Sequence, residues 1–284
     1  MLDVQELRFT YAGAAAPVLR GLTFRIAPGE IFGFLGPSGA GKSTTQNILT
    51  GLLRGYQGRV SVLGRDLATW HSDYYEHIGV AFEGPTHFRK LTALENLAYF
   101  RALYAHPALT PQEALDLVDL GTAGRVPVGQ FSKGMQTRLG VARALLHAPA
   151  LLFLDEPTSG LDPVNARRIK ALIRARQAAG TTVFLTTHDM ALAADLCDRV
   201  AFIVDGALPL VDTPPALQRR YGQAALRVEY TSPTGPAAQT FPLAGLADNP
   251  AFLAVLRGGT VQTIHTQEAT LDEVFVRATG RNLA

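Results

Sequence analysis

Apolar and polar positions alternate by two over Leu22-Thr-Phe-Arg-Ile26 and, less strictly, over Val4 to Thr10, which predicts strands near the start of the chain. Pro28-Gly29 predicts a turn after them. The alternation then gives way to an unbroken apolar run, Ile31-Phe-Gly-Phe-Leu35, the pattern of a strand buried on both faces. Gly58 to Gly64 is a further strand candidate bounded by glycines. From 86 to 147 the spacing turns helical. Thr92-Ala-Leu-Glu95 has the form of a capping box opening a helix through Tyr104. Pro111 falls in the first turn of a second helix through Leu120. After breaks at Gly121, Gly124, Pro127 and Gly129, the pattern resumes from Ser132 to His147. Two more buried-strand candidates, Leu151-Leu-Phe-Leu154 and Thr182-Val-Phe-Leu-Thr186, flank a helical stretch from Pro163 to Ala179. Strands alternating with helices predict a parallel α/β sheet. Beyond Asp212 lie loop-like segments, Thr213-Pro-Pro215 and Ser232-Pro-Thr-Gly-Pro236, and short strand candidates at Val228-Glu-Tyr230 and Val261-Gln-Thr-Ile264. A second capping box, Thr270-Leu-Asp-Glu273, starts a helix with Leu271, Val274, Phe275 and Ala278 on one face. Residues 213–284 therefore read as a small α/β appendage.

Composition narrows the class. The 284 residues are 47% hydrophobic with a formal net charge of +2, which excludes general disorder and allows a sizeable core. The single cysteine, Cys197, excludes a disulfide framework and a cysteine metal cluster. No segment reaches the ~18 continuous apolar residues of a membrane span, because Ala144 to Leu154 is interrupted by His147 and Pro149. Met1 to Glu6 lacks the basic and apolar regions of a secretory signal. The expectation is a soluble intracellular chain. Arg167-Arg168 and Arg219-Arg220, the densest basic pairs, read as solvated helix faces, so no nucleic-acid partner is expected. Lysine occurs only at 42, 90, 133 and 170, so its appearance within a motif is informative.

One such motif is Gly36-Pro37-Ser38-Gly39-Ala40-Gly41-Lys42-Ser43-Thr44, a P-loop pattern between a strand candidate and a helix start. Its glycines let several backbone N–H groups converge on one anion, and the helix N-terminus adds a favourable dipole. Lys42 is placed to reach the β- and γ-phosphates, and Ser43 to ligate Mg²⁺. A chance glycine-rich turn is the bland alternative. The loop alone leaves the nucleotide open, although no Asn-Lys-x-Asp follows to read guanine. At the end of the apolar run 151–154 stand Asp155 and Glu156. A carboxylate at a strand's C-terminal end can sit beside the P-loop. Asp155 suits the Mg²⁺ shell and Glu156 suits polarisation of an attacking water; two acids in a solvated turn is the competing reading. His188, in Thr186-Thr-His-Asp189, follows the neighbouring strand and would point at the γ-phosphate.

This order of motifs resembles the ATP-binding subunit of an ABC transporter over roughly residues 1–215. Phe131-Ser132-Lys133-Gly134-Met135-Gln136 occupies the place of that family's diagnostic signature, Ser159-Gly-Leu-Asp162 matches the loop that crosses its dimer interface, and His188 matches its switch histidine. Tyr11 lies 25 residues before Gly36, matching the aromatic that stacks on adenine. The resemblance implies a P-loop NTPase over 1–212, with an antiparallel β region at its start, a helical subdomain inserted at about 84–147, and an accessory domain over 213–284. It implies a head-to-tail homodimer enclosing two ATP, each between one P-loop and the partner's signature. Ser132 and the Gly134 backbone would then contact the partner's γ-phosphate, with Lys133 and Asp162 nearby. A separate integral-membrane permease would hold the chain at the inner face of the cell membrane. A groove in the segment 84–130 would receive a short permease helix, with Phe88, Leu91, Leu94, Leu97, Phe100 and Tyr104 as candidate contacts, most of them core.

Two departures from the family pattern matter. The Ser-Lys-Gly-Met signature looks like that of drug- and antibiotic-exporter ATPases of the daunorubicin-resistance type. So does the closing segment Thr270 to Arg281, which supports export. Lys133 stands where glycine is usual and Met135 where glutamine is, and Lys133 either brings charge to the partner's ATP or faces solvent. Glu83 replaces the usual glutamine that touches Mg²⁺ and the water. It serves that position if Mg²⁺ lies between it and the phosphates, and otherwise points away. The rivals are an importer ATPase, a non-transport ABC ATPase acting on ribosomes or DNA, and another P-loop enzyme such as a small-molecule kinase.

Overall fold

The alternating N-terminal segments form β1 (Leu2–Phe9) and β2 (Leu19–Ile26), paired antiparallel with Leu2 opposite Ile26 and Val4 opposite Phe24. The computed structural model describes all residues except 85–86, 223–224, 233, 268 and 282–284, and for 267 the backbone only. The apolar run is β3 (Ile31–Leu35), buried at every position, and it leads through the glycine-rich loop into α1 (Lys42–Leu49). Next, β4 (Gln57–Val62) and β5 (Arg65–Asp66) complete a sheet in the order β2-β1-β4-β5. The short strand β6 (Ile78–Ala81) precedes the helical insertion α2 (Ala93–Arg101), α3 (Pro111–Leu117) and α4 (Lys133–Ala144).

These helices stop earlier than their periodicity predicts. After α2, Leu103 and Tyr104 bond three residues back, to Phe100 and Arg101, in tightened turns. Beyond α3, Asp119 takes a left-handed φ of 58°. Beyond α4, Pro149 disfavours helical geometry at Ala148, which adopts φ 49°.

The remaining elements are β7 (Leu151–Asp155), α5 (Pro163–Ala178), β8 (Thr182–Thr187), α6 (Met190–Leu196), β9 (Arg199–Val204) and β10 (Ala207–Asp212). The second sheet runs β10-β9-β3-β8-β7-β6, and β9, β3, β8, β7 and β6 pair in parallel. Because β3 lies beside β8, and β8 beside β7, the chain emerging from all three strands arrives at one edge. The two sheets close on a shared core in which Phe24 stacks on Phe32 at 5.5 Å and Phe34 approaches Phe184 at 5.4 Å.

By contacts the chain divides into one unit of Met1–Val211 and a second of Asp212–Asn282. In the second unit, Thr213-Pro-Pro215 is not a loop. Thr213 caps α7 (Pro214–Tyr221), and its prolines occupy the first turn, where a missing N–H breaks no helix bond. A three-stranded antiparallel sheet follows in the order β12-β11-β13, from β11 (Ala225–Ser232), β12 (Gly235–Pro242) and β13 (Thr260–Gln267). The expected loop at 232–236 is a tight hairpin pairing Ser232 with Gly235, while Pro233 lies outside the described residues. Helix α8 (Pro250–Gly258) packs Phe252 and Val255 against Phe241 and Val228. The capping box at Thr270 opens α9 (Leu271–Thr279), with Leu271, Val274 and Phe275 buried and Ala278 half-buried.

Candidate functional site

The glycine-rich loop owes its course to two close approaches. At Gly36 a Cβ would lie 2.2 Å from the Ile203 carbonyl oxygen on β9. Gly41 takes φ 113°, a conformation strained for other residues, where it hands the loop to α1. Beyond it, Ser38, Gly39, Gly41, Lys42, Ser43 and Thr44 line a cavity of about 310 Å³, shared with Glu83, Asp155, Glu156 and His188. The P-loop, Asp155 at the end of β7 and Glu156 just after it, the acid after β6 and the histidine after β8 thus meet at one sheet edge. Gly36 and Pro37 contribute carbonyls, to which Lys42 Nζ donates at 2.6 and 3.0 Å. The buried Ala40 carbonyl accepts the Gly206 N–H at 3.1 Å and ties the loop to the β9–β10 turn. Tyr11 is 43% exposed, stands edge-on to Phe9, and shares a 3.1 Å hydrogen bond with the Thr44 hydroxyl.

Charge is concentrated here. Burial lowers the Lys42 pKa, and the carboxylates of Glu156, Asp155 and Glu83 oppose that shift. Burial raises the Asp155 pKa, and the negative charge of Glu156 adds to the rise. The Thr186 hydroxyl, the Glu83 backbone N–H and the Lys42 ammonium oppose it. Glu156 is 6% exposed and adopts φ 48°. Its Oε2 accepts from the Thr187 hydroxyl at 2.8 Å, and its Oε1 from the His188 backbone N–H at 2.9 Å. His188 Nδ1 lies 2.6 Å from the same Oε1. The Ser43 hydroxyl and the Asp155 and Glu83 carboxylates are hard oxygen donors, the type Mg²⁺ takes. Among the described residues no three His, Cys, Asp or Glu side chains form a metal cage. Mg²⁺ commonly takes one or two carboxylates, keeps waters and takes substrate phosphates as its other ligands.

Other predicted residues lie elsewhere. Ser132 caps α4 by accepting the Met135 N–H, and Asp162 caps α5 by accepting the Val164 and Asn165 N–H groups. Neither they nor Lys133 and Gly134 line the cavity. Lys133 Nζ instead reaches the Ser159 hydroxyl at 3.4 Å, linking the signature segment to the 159–162 loop of its own chain. In the helical insertion, Leu97 is buried, Leu91, Leu94, Phe100 and Tyr104 are half-buried, and Phe88 is exposed. Exposed Tyr99, which the spacing did not single out, stands edge-on to Phe88 at 4.9 Å and extends its apolar surface, and Leu103 is exposed as well. Sequence reasoning also missed Gln46, a buried polar residue of α1, and Thr186 and Thr187, buried polar residues that follow the apolar run of β8.

The model of the ABC transporter family matches residues 19–159. That of the fluoroquinolone efflux ABC transporter C-terminal domain matches residues 224–268. A fluoroquinolones export ATP-binding protein of Mycobacterium tuberculosis is 53% identical over 284 residues, covering 100% of this chain and 94% of the relative. The Nod factor export ATP-binding protein I of Sinorhizobium fredii is 37% identical, covering 92% and 81% respectively. A dimeric ATP-binding cassette in a post-hydrolysis state, bound to ADP and Pi, superposes with a TM-score of 0.70 at 26% identity, over 75% of this chain and 98% of that one.

Proposed function

Because the chain belongs to the ABC transporter family, as an ATP-binding, ATP-hydrolysing export subunit, we propose that the cavity at the P-loop is its catalytic site and that the ATP bound there powers efflux of drug-like molecules through a separate membrane subunit. The observation that carries this reading is the convergence of Lys42, Asp155, Glu156, Glu83 and His188 on the loop that opens α1. In this reading the 36–44 amides and Lys42 hold the phosphates, and Tyr11 stacks on the adenine. Ser43, Asp155 and Glu83 hold Mg²⁺, which when bound neutralises charge developing on the transferred phosphoryl group. Glu156 accepts a proton from the attacking water, and His188, anchored on Glu156, contacts the γ-phosphate. Pre-organised charges of this kind supply most of the acceleration in phosphoryl transfer.

Ser132, Lys133, Gly134 and Asp162 complete the second half of each site from a partner copy in a head-to-tail homodimer. Their position away from the chain's own cavity supports that assignment. Residues 1–212 form the ATPase domain and 213–284 the accessory domain. The match of 224–268 to a fluoroquinolone efflux domain supports fluoroquinolone-like drugs as the exported class. Among the described residues no helix is long and apolar enough to cross a membrane. As the relatives are export ATP-binding proteins, the chain attaches to the inner face of the membrane through its permease, and exposed Phe88, Tyr99 and Leu103 offer the contact.

The test is Glu156→Gln. Hydrolysis should fall about 100-fold or more, ATP binding should persist, and ATP should shift the variant to a dimer on size exclusion. Normal turnover in that variant would remove Glu156 from the mechanism. Pull-down from detergent extracts, followed by drug efflux from cells lacking either subunit, tests the partner and the exported class.

A further inference from the structure

Thr186, the penultimate residue of β8, has its side chain fully buried, and three acceptors surround its hydroxyl: Asp155 Oδ1, Gln46 Oε1 at 3.0 Å and the Leu154 carbonyl at 3.3 Å. A hydroxyl carries one proton. An ionised Asp155, the only charged acceptor of the three, takes it. Thr186 Oγ1 can then meet Gln46 only by accepting, which requires the NH₂ of the Gln46 carboxamide to face it. Gln46 is 1% exposed, and its Nε2 otherwise has no hydrogen-bond partner. A half-turn of the carboxamide exchanges its oxygen and nitrogen in place and gives that group an acceptor. The unpaired position passes to the carbonyl oxygen, and a buried carbonyl without a donor is better tolerated than an orphaned N–H.

We infer that Gln46 is a positioning residue: its N–H donates to Thr186 Oγ1, whose O–H donates to Asp155 Oδ1, and this relay from α1 fixes the carboxylate that organises Mg²⁺. The inference rests on the assignment of Asp155 proposed above. Packing alone does not explain a glutamine here. Gln46 is buried in α1 along with Thr45, Ile48 and Leu49, and a buried carboxamide is costly unless it is hydrogen-bonded. The Glu83 backbone N–H also binds the Asp155 carboxylate, so the relay and the segment after β6 hold it together.

The experiment measures Mn²⁺ affinity of the ADP-bound full-length chain by electron paramagnetic resonance, alongside ADP affinity in EDTA. Gln46→Met keeps the length and removes the donor; Thr186→Val keeps the shape and removes the hydroxyl. Both should weaken Mn²⁺ binding about 10-fold or more, leave metal-free ADP binding unchanged, and be matched by near-normal Mn²⁺ binding in Thr186→Ser. Should Gln46→Met fold poorly, the Thr186→Val and Thr186→Ser pair decides alone. Wild-type Mn²⁺ affinity in Thr186→Val, or an equal loss of metal-free ADP binding, overturns the relay. If Asp155→Asn weakens Mn²⁺ binding and the relay variants do not, only this inference fails. If Asp155→Asn also binds Mn²⁺ normally, the assignment of Asp155 fails with it.

Discussion

Glu156 holds a left-handed backbone conformation at φ 48°, a strain of about 1–3 kcal/mol in a residue other than glycine. The Thr187 hydroxyl and the His188 backbone and ring fix its carboxylate there. Around it, Asp155 and Glu83 bring two further carboxylates toward one lysine, Lys42. Glu83 is the unusual member of this group. A carboxylate ~4 Å from a phosphate charge is repelled by about 4 kcal/mol at an effective dielectric near 20, so its place at the cavity is favourable only with a cation between them. Glu83→Gln should therefore raise the Mg²⁺ concentration needed for half-maximal hydrolysis about 10-fold. Unchanged hydrolysis, Mg²⁺ dependence and transport coupling in that variant would refute the role. Lys42, Asp155, Glu156 and His188 are legible in the sequence because each follows a recognisable strand or opens a helix. Gln46, Thr186 and Thr187 are not, because their partners are 140, 31 and 31 residues away and no local spacing records such contacts.

At the scale of elements, local chemistry explains most starts and few stops. Thr92 and Glu95 exchange hydrogen bonds across the first turn of α2, as do Thr110 and Glu113 in α3 and Thr270 and Glu273 in α9. The Thr110 box is written in the spacing Thr110-Pro-Gln-Glu113, with Pro111 in the first turn. Thr92→Ala should lower stability by about 1 kcal/mol, read as a lower urea midpoint with an unchanged slope. Thr92 also holds the Glu95 carboxyl below its ordinary range, through its backbone N–H first and its hydroxyl second. The depressed folded-state value makes that contribution present above the unfolded pKa and lost as pH falls through the folded one. Strands β6 and β9 escaped the pattern reading, because short apolar runs without alternation look alike in buried strands and buried helices. Their identity comes from pairing with β7 and β3.

At the scale of the molecule, two imidazoles make the first unit sensitive to acid. His87 and His147 are buried, and each places Nε2 3.0 Å from a carbonyl, of Gln136 and Ile78 respectively. In each ring Nδ1 is buried without a partner. Burial lowers both pKa values; Arg143 lowers His87 further, and His77 adds to the lowering at His147 while Glu76 opposes it. With folded values below the ordinary 6.5, the unfolded chain binds more protons in the window beneath it, so stability falls as pH drops below about 6.5. Urea midpoints at pH 7.5 and 5.5 should show this loss, and His87→Gln with His147→Gln should reduce it. A midpoint independent of pH across that window would show that the two histidines titrate normally. The P-loop, the acids at the end of an apolar strand, the caps and the α/β alternation are written in the chain, because each is set by residues within a few positions of one another. That β3 lies between β8 and β9 emerges from folding alone. That strand order carries three distant loops to one edge, seats Thr186 between Gln46 and Asp155, and leaves the signature away from the chain's own cavity. Strand order is chosen by which buried faces pack together, a comparison over the whole chain that no local pattern contains.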